Sequence, residues 1–130
     1  MLMTSLNWLG AGTTAFNGLI DLAGDFGFIG GDLTISGAGV NDIDGTMTVS
    51  NAGTFTLSED ALLEVGNLIQ DGVGLNVISE NISSDASIVF ATGVTITRAG
   101  AAETVVLTSG GAVGNDIIFR STLNNSDDEN

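Results

Sequence analysis

In the segment Asn41–Gly45, Asp42 and Asp44 place carboxylate oxygens at alternate positions before a turn glycine, and Asn41 adds an amide oxygen beside them. A hard cation such as Ca²⁺ prefers oxygen ligands of this kind, although the bidentate glutamate that completes an EF-hand loop does not follow. A second segment, Gly114–Ile118, matches half of the calcium-binding β-roll nonapeptide, without the tandem copies that this fold requires. These patterns predict a calcium site formed by Asp42, Asp44 and Asp116. The alternative is that these acids cap their own turns by accepting hydrogen bonds from the backbone amides of those turns.

The chain contains no Cys, His, Lys or Tyr, which are the side chains that most enzymes use as nucleophiles or as general acids and bases. Serine triads, thiol nucleophiles and imine chemistry are therefore excluded in their usual forms. Glycoside hydrolysis needs only two carboxylates that face each other across a cleft. The neighbouring acids are Asp42 with Asp44, Glu59 with Asp60, and Asp127 with Asp128. Because each pair lies in a polar or terminal setting typical of solvated acids, we predict a protein that is not an enzyme, without catalytic or cofactor-binding residues.

The charge of the chain restricts its partners. Sixteen acids face two bases, Arg98 and Arg120, which gives a formal charge of −14. Nucleic acid is disfavoured as a partner because binding it requires neutralisation of phosphates, and anionic membrane surfaces are disfavoured for the same reason. No stretch is long and apolar enough to predict membrane insertion.

Short apolar-alternating runs recur between turns rich in Gly, Asn, Asp and Ser, which is the pattern of β-strands. The runs cover residues 19–22, 33–35, 46–49, 54–57, 75–78, 88–90, 94–97, 104–107 and 117–119. A further strand is predicted for 61–65, with one helical turn as the alternative because Ser58 could cap a helix there. We predict an all-β domain over residues 1–123, followed by a polar acidic tail at 124–130.

The segment 45–58, GTMTVSNAGTFTLS, contains two similar phrases that form either a hairpin or two sides of a stacked coil. Paired phrases, strands with about two inward residues each and Gly/Asn/Asp corners favour the coil. The predicted fold is therefore a parallel β-helix (β-solenoid) of about five or six coils, with an antiparallel β-sandwich as the alternative.

Threonine triplets suggest another surface. Thr46-Met47-Thr48, Thr54-Phe55-Thr56 and Thr95-Ile96-Thr97 would present hydroxyl groups if they stacked on one face. Such a ladder resembles those of β-helical antifreeze proteins and implies ice binding, whereas threonine is also simply well suited to the wet face of a strand.

Four phrases, NWLGAGTT at 7–14, GDLTISGAG at 31–39, DGTMTVSNAGTFTLS at 44–58 and GNDIIFRSTLNN at 114–125, resemble those of bacterial surface proteins with filamentous-haemagglutinin-like or autotransporter-like repeats. The resemblance implies a right-handed parallel β-helix that is exported and acts as a stalk or adhesin, located extracellularly or on the bacterial cell surface. The expected function is a non-catalytic rod-like scaffold that binds a host or cell-surface ligand.

Trp8, Phe16, Phe26 and Phe28 lie near the N-terminal end, where a solenoid would expose the edge of its first coil. They predict either a structural cap or a docking surface. The partners expected at such ends are neighbouring repeats or copies of the chain itself.

Overall fold

The computed structural model describes residues 3–98 and 104–125 of the 130-residue chain. These two ranges contain thirteen β-strands and no helix. The strands are β1 (Leu6–Phe16), β2 (Asp21–Leu22), β3 (Phe26–Ile35), β4 (Gly39–Asn51), β5 (Phe55–Leu57), β6 (Ala61–Gln70), β7 (Asn76–Ile78), β8 (Ile82–Ser84), β9 (Ile88–Phe90), β10 (Val94–Ile96), β11 (Leu107–Thr108), β12 (Ile117–Phe119) and β13 (Leu123–Asn125).

All strand pairs are parallel, and successive coils stack as a β-solenoid of about five turns. Phe26 faces Met47 and Leu68 faces Ile88, offsets of 21 and 20 residues, so one coil contains about 20 residues. The predicted solenoid is confirmed, and the antiparallel sandwich is wrong. The two phrases of segment 45–58 do not form a hairpin, because β4 pairs with β3 and β6 whereas β5 pairs with β3 and β7.

The coil has three sides, each a parallel sheet. Side 1 contains β2, the N-terminal halves of β4 and β6, β8 and β11. Side 2 contains the N-terminal halves of β1 and β3, the C-terminal halves of β4 and β6, β9 and β12. Side 3 contains the ends of β1 and β3, followed by β5, β7, β10 and β13.

The core lies inside this three-sided coil and consists of columns of aliphatic and aromatic side chains. Because alternate residues of a strand point to opposite faces, equivalent inward positions of successive coils stack directly. One column on side 2 contains Phe26, Met47, Leu68 and Ile88, all fully buried. The backbone hydrogen bonds between coils therefore enclose a mainly apolar interior, which also contains a few buried amide side chains.

Several elements differ from the sequence prediction. β1, β8 and β13 were not expected, and β13 includes Asn124 and Asn125, which lie beyond the predicted domain boundary at 123. The predicted tail from 126 onward lies outside the described residues. The strand predicted at 61–65 is confirmed and extends to Gln70 as β6. No helical turn forms there because Asp60 adopts a left-handed φ of 66° and turns the chain directly into the strand.

Candidate functional site

Side 1 carries a column of acidic side chains. Asp21, Asp42 and Glu64 are aligned from coil to coil, one strand spacing apart. A polar cavity of about 200 Å³ beside this column is also lined by Asp44 and Asp85. Partial burial, followed by the charges of Asp44, Asp21 and Asp85, raises the pKa of the Asp42 carboxyl above its ordinary value. We call Asp21, Asp42, Asp44, Glu64 and Asp85 the acidic column.

The three acids predicted to bind calcium are not brought together. Asp42 and Asp44 share the acidic column, whereas Asp116 precedes β12 on side 2, where its backbone carbonyl accepts from the Ile88 N–H. Within 3–98 and 104–125, no three acidic side chains are arranged to hold a metal ion. Calcium binding by this chain stays a prediction.

Two other acids, Asp25 and Asp32, accept hydrogen bonds from backbone amides of the next coil rather than from their own turns. The Asp25 carboxylate accepts from the Thr46 N–H at 2.8 Å, and the Asp32 carboxylate accepts from the Thr54 N–H at 2.7 Å. Each of these bonds joins one coil to the next, because its partners are about 20 residues apart. A carboxylate that accepts a backbone N–H forms a charge-assisted bond. These two acids therefore stabilise the stacking of coils.

Glu80 and Arg98 form a nearly buried ion pair at the corner between sides 3 and 1, with an N–O distance of 3.1 Å. Burial acts to raise the pKa of the Glu80 carboxyl, but the Asn81 N–H, the Arg98 guanidinium and the Asp60 N–H together hold that pKa below its ordinary value. Glu80 is therefore ionised in the folded protein. The pair connects three successive coils, because Asp60, Glu80 and Arg98 are separated by about one coil each.

The threonine triplets lie on two different sides of the coil. Thr46 and Thr48 lie in the part of β4 on side 2, whereas Thr56 and Thr95 lie on side 3. The outer column of side 3 runs Ala15, Thr34, Thr56, Val77, Thr95 and Asn124. The triplets thus do not stack as one ladder, and Val77 interrupts the longest hydroxyl column.

A cluster of amide side chains is buried at the corner between sides 2 and 3, and sequence reasoning did not find it. Gln70 donates to the Asn51 Oδ1 at 2.8 Å, and Asn76 donates to the Gln70 Oε1 at 3.3 Å. All three side chains are almost completely buried. The Asn76 Oδ1 is buried and accepts no hydrogen bond from any residue that the structure describes. The signal that could have revealed the cluster is an amide residue two positions before a glycine, at Asn51 and again at Gln70.

An open groove of about 530 Å³ crosses the outer face of side 2 near the first coils. Its floor lies at Gly27, which occupies the outward position between Asn7 and Thr48 and has no side chain to fill it. The exposed side chains of Leu9 and Ile29 line it together with polar residues. Side 2 therefore presents both apolar and polar side chains at this groove.

The aromatic residues near the N-terminal end form contacts typical of a cap. Phe26 and Phe28 are fully buried, and Phe16 packs edge-on against Phe26 with ring centroids 5.6 Å apart. Trp8 packs edge-on against Phe16, and its indole N–H donates to the Thr14 Oγ1 at 3.0 Å. The Trp8 side chain nevertheless remains 43% exposed. The cap therefore leaves apolar surface uncovered at this end.

Three parallel sheets around a mainly apolar interior define the class of this chain, which is a parallel β-solenoid of the kind formed by β-solenoid repeat proteins. Comparison with protein-family models, curated proteins and solved structures finds no match. The described residues also contain no helix that is long and apolar enough to cross a membrane.

Proposed function

We propose that this chain is a non-catalytic structural or adhesive module of an exported bacterial surface protein. The observation that carries the proposal is the parallel stacking of coils, which turns a short sequence into three lateral faces supported by backbone hydrogen bonds. Such a scaffold presents outward side chains at fixed spacing, and solenoids bind partners along extended lateral surfaces of this kind.

The charge of the chain is consistent with a surface location. A formal charge of −14 keeps the protein soluble and disfavours contact with other anionic surfaces. A neutral or cationic ligand is expected on side 1, where the acidic column is located. The mixed groove on side 2 offers a second lateral surface for recognition.

Surface labelling tests the location. Antibodies raised against the folded chain should label intact cells of the source organism without permeabilisation. Labelling that appears only after the cells are permeabilised would contradict an exported surface role.

Adhesion tests the activity. Beads coated with the purified chain should be retained on glycan-coated or cell-coated surfaces more than beads coated with heat-unfolded chain. A lateral variant, Ile29→Asp, alters the side 2 groove, and Val73→Asp is its control because Val73 is 83% exposed at a corner outside that groove. Equal retention of folded and unfolded chain would remove the adhesive role.

The other functions considered from the sequence, which are calcium binding, ice binding and glycan hydrolysis, stay predictions. The separation of Asp116 from the acidic column does not favour the first, and the division of the threonine triplets between two sides does not favour the second.

A further inference from the structure

The two ends of the solenoid expose strand edges that match each other. Among the described residues, β1 pairs only with β3 and β12 pairs only with β9. The outer edges of β1 and β12 therefore face no other strand of those ranges. Unpaired backbone groups at a strand edge are a template for another strand.

The first coil lacks the features that usually block such pairing. Residues 3–20 contain no charged side chain, although the whole chain carries sixteen acids. Native edge strands are commonly protected by charges, above all lysine, or by proline, and this chain contains neither lysine nor proline. β1 is also long, at 11 residues. β1 itself thus brings no acid toward a negatively charged partner, and the first acid of the chain, Asp21, follows it on side 1.

The side chains at the two ends belong to the same columns. One inward column of side 2 runs Trp8, Phe28, Val49, Gln70, Phe90 and Phe119 from the first coil to the last. Phe119 stacks on Phe90 with ring planes 11° apart, and no further coil of the described residues covers its other face. A further coil stacked on the last one could pack an aromatic ring against this face of Phe119. At the opposite end of the same column, the residue at the equivalent position is Trp8.

The neighbouring columns continue in the same way. Leu6 begins the column that ends at Ile117, and Thr14 begins the column that ends at Leu123. Leu123 is 52% exposed and Ile117 is 36% exposed, although both occupy inward positions. A coil stacked on the last one would cover both side chains.

We propose that copies of this chain stack head to tail, with β1 of one copy adding in parallel to the last coil of the next, so that Trp8 lies against Phe119. The contact repeats the coil-to-coil register found within the chain. It is heterologous and does not close, so it generates a filament. The proposal adds a partner to the proposed scaffold role, and its failure would leave surface location and adhesion untouched, because neither the labelling nor the bead assay requires copies to stack.

Sedimentation velocity over a range of protein concentration tests this stacking. The wild-type chain should grow from 13.1 kDa monomers into oligomers larger than dimers as concentration rises, and added salt should favour growth because it screens the negative charge. Trp8→Lys, which blocks one end, and Leu123→Lys, which blocks the other, should each remain monomeric. Val73→Lys, at an exposed corner away from both ends, should associate like the wild type.

The decisive sample is an equimolar mixture of the two blocked variants. Each retains one intact end, so the mixture should form dimers and nothing larger. A wild-type chain that stays monomeric at every concentration would overturn the proposal. Dimers of Leu123→Lys alone would also overturn it, because they would indicate contact between two N-terminal ends. Association of each variant on its own to the same extent as the wild type would overturn it as well.

Circular dichroism and thermal melting establish that each variant is folded. If Trp8→Lys does not fold, Thr14→Lys replaces it, because Thr14 begins the neighbouring inward column on the same edge. Oligomers of a folded Thr14→Lys chain that match the wild type would contradict the proposal.

Discussion

Individual side chains in this protein act mainly on the contacts between coils. In a parallel solenoid, equivalent positions of neighbouring coils are about 4.8 Å apart, so every outward column repeats its charge or its hydrogen bonds at short range. The acidic column brings like charges of neighbouring coils close together, whereas the ion pair of Glu80 with Arg98 brings opposite charges together. Like charges in register weaken the stack, whereas opposite charges in register strengthen it.

Replacement of Asp42 by Asn should stabilise the protein at neutral pH. The pKa of Asp42 is raised in the folded state, so its ionised form is less favourable there than in the unfolded chain, and the penalty is relieved as pH falls through the folded pKa. Because Asp42 is partly exposed, the gain should be about 0.2–1 kcal/mol and should shrink in high salt. Urea unfolding at low and high ionic strength measures it. Asp116→Asn removes an exposed charge outside the acidic column, and an equal gain in both variants would contradict this account.

Replacement of Glu80 by Gln should have the opposite effect. The lowered pKa of Glu80 contributes stability that is fully present above its ordinary value of 4.5 and is lost as pH falls through the folded pKa. At neutral pH the variant should lose about 1.5–3 kcal/mol, the range for hydrogen bonds to charged groups.

The pH dependence separates this ion pair from a purely steric effect. The difference in melting temperature between wild type and Glu80→Gln should narrow as pH is lowered below 4.5. A difference that stays constant from pH 7 down to strongly acidic pH would show that the carboxylate charge does not matter.

At the scale of elements, the size of the side chains at the corners decides how closely neighbouring coils can pack. Gly74 lies at the corner between β6 and β7, and a Cβ added there would overlap the carbonyl oxygen of Gly53 in the preceding coil. This clash is with backbone, which cannot rotate away. The same chain contains Gly12, where an added Cβ meets nothing within 4 Å.

This pair of glycines gives a direct test of corner packing. Gly74→Ala should lower the free energy of unfolding by about 1–3 kcal/mol, as in other overpacked sites. Gly12→Ala should leave it unchanged or raise it by up to about 1 kcal/mol, because alanine restricts the unfolded chain. Chemical denaturation of both variants measures the difference, and similar stabilities would mean that the coils are not packed this closely at the corner.

Strands whose polar and apolar side chains alternate could be predicted from the sequence, whereas strands without this alternation could not. Residues 46–49 and 54–57 alternate clearly between polar and apolar side chains, and strands form in both segments as expected. β1 was missed because Gly10, Ala11 and Gly12 interrupt its alternation, and the register shifts between Gly10 and Thr13. A strand in the first coil is held by pairing with its neighbour rather than by its own pattern, so its sequence need not alternate.

The cluster of buried amide side chains could not be predicted from the sequence for a related reason. Gln70 and Asn76 read as exposed residues, yet they occupy inward positions because their amides bond to one another and to corner carbonyls. The aliphatic columns could be predicted from the residue types alone. The positions of the acids could not, since only the register between coils decides that Asp42 adjoins Glu64 and lies far from Asp116.

For the whole molecule, the coil number sets the shape. Side 2 contains six strands, so its first and last strands are about 24 Å apart at about 4.8 Å per strand. A coil of about 20 residues has a perimeter of about 66 Å, or about 22 Å for each side. The described coils are thus together about as long as they are wide.

The central claim is the parallel register between coils, and engineered cysteine pairs test it most directly because the chain has no cysteine of its own. Thr34 and Thr56 face each other across adjacent strands of side 3, within the distance that a disulfide can bridge. Thr95 lies three coils from Thr34, about 14 Å away by strand spacing, and cannot be bridged to it. Under mild oxidation, Thr34→Cys with Thr56→Cys should form an intramolecular disulfide, and Thr34→Cys with Thr95→Cys should remain reduced. A reduced first pair, or an oxidised second pair, would contradict the stacked solenoid.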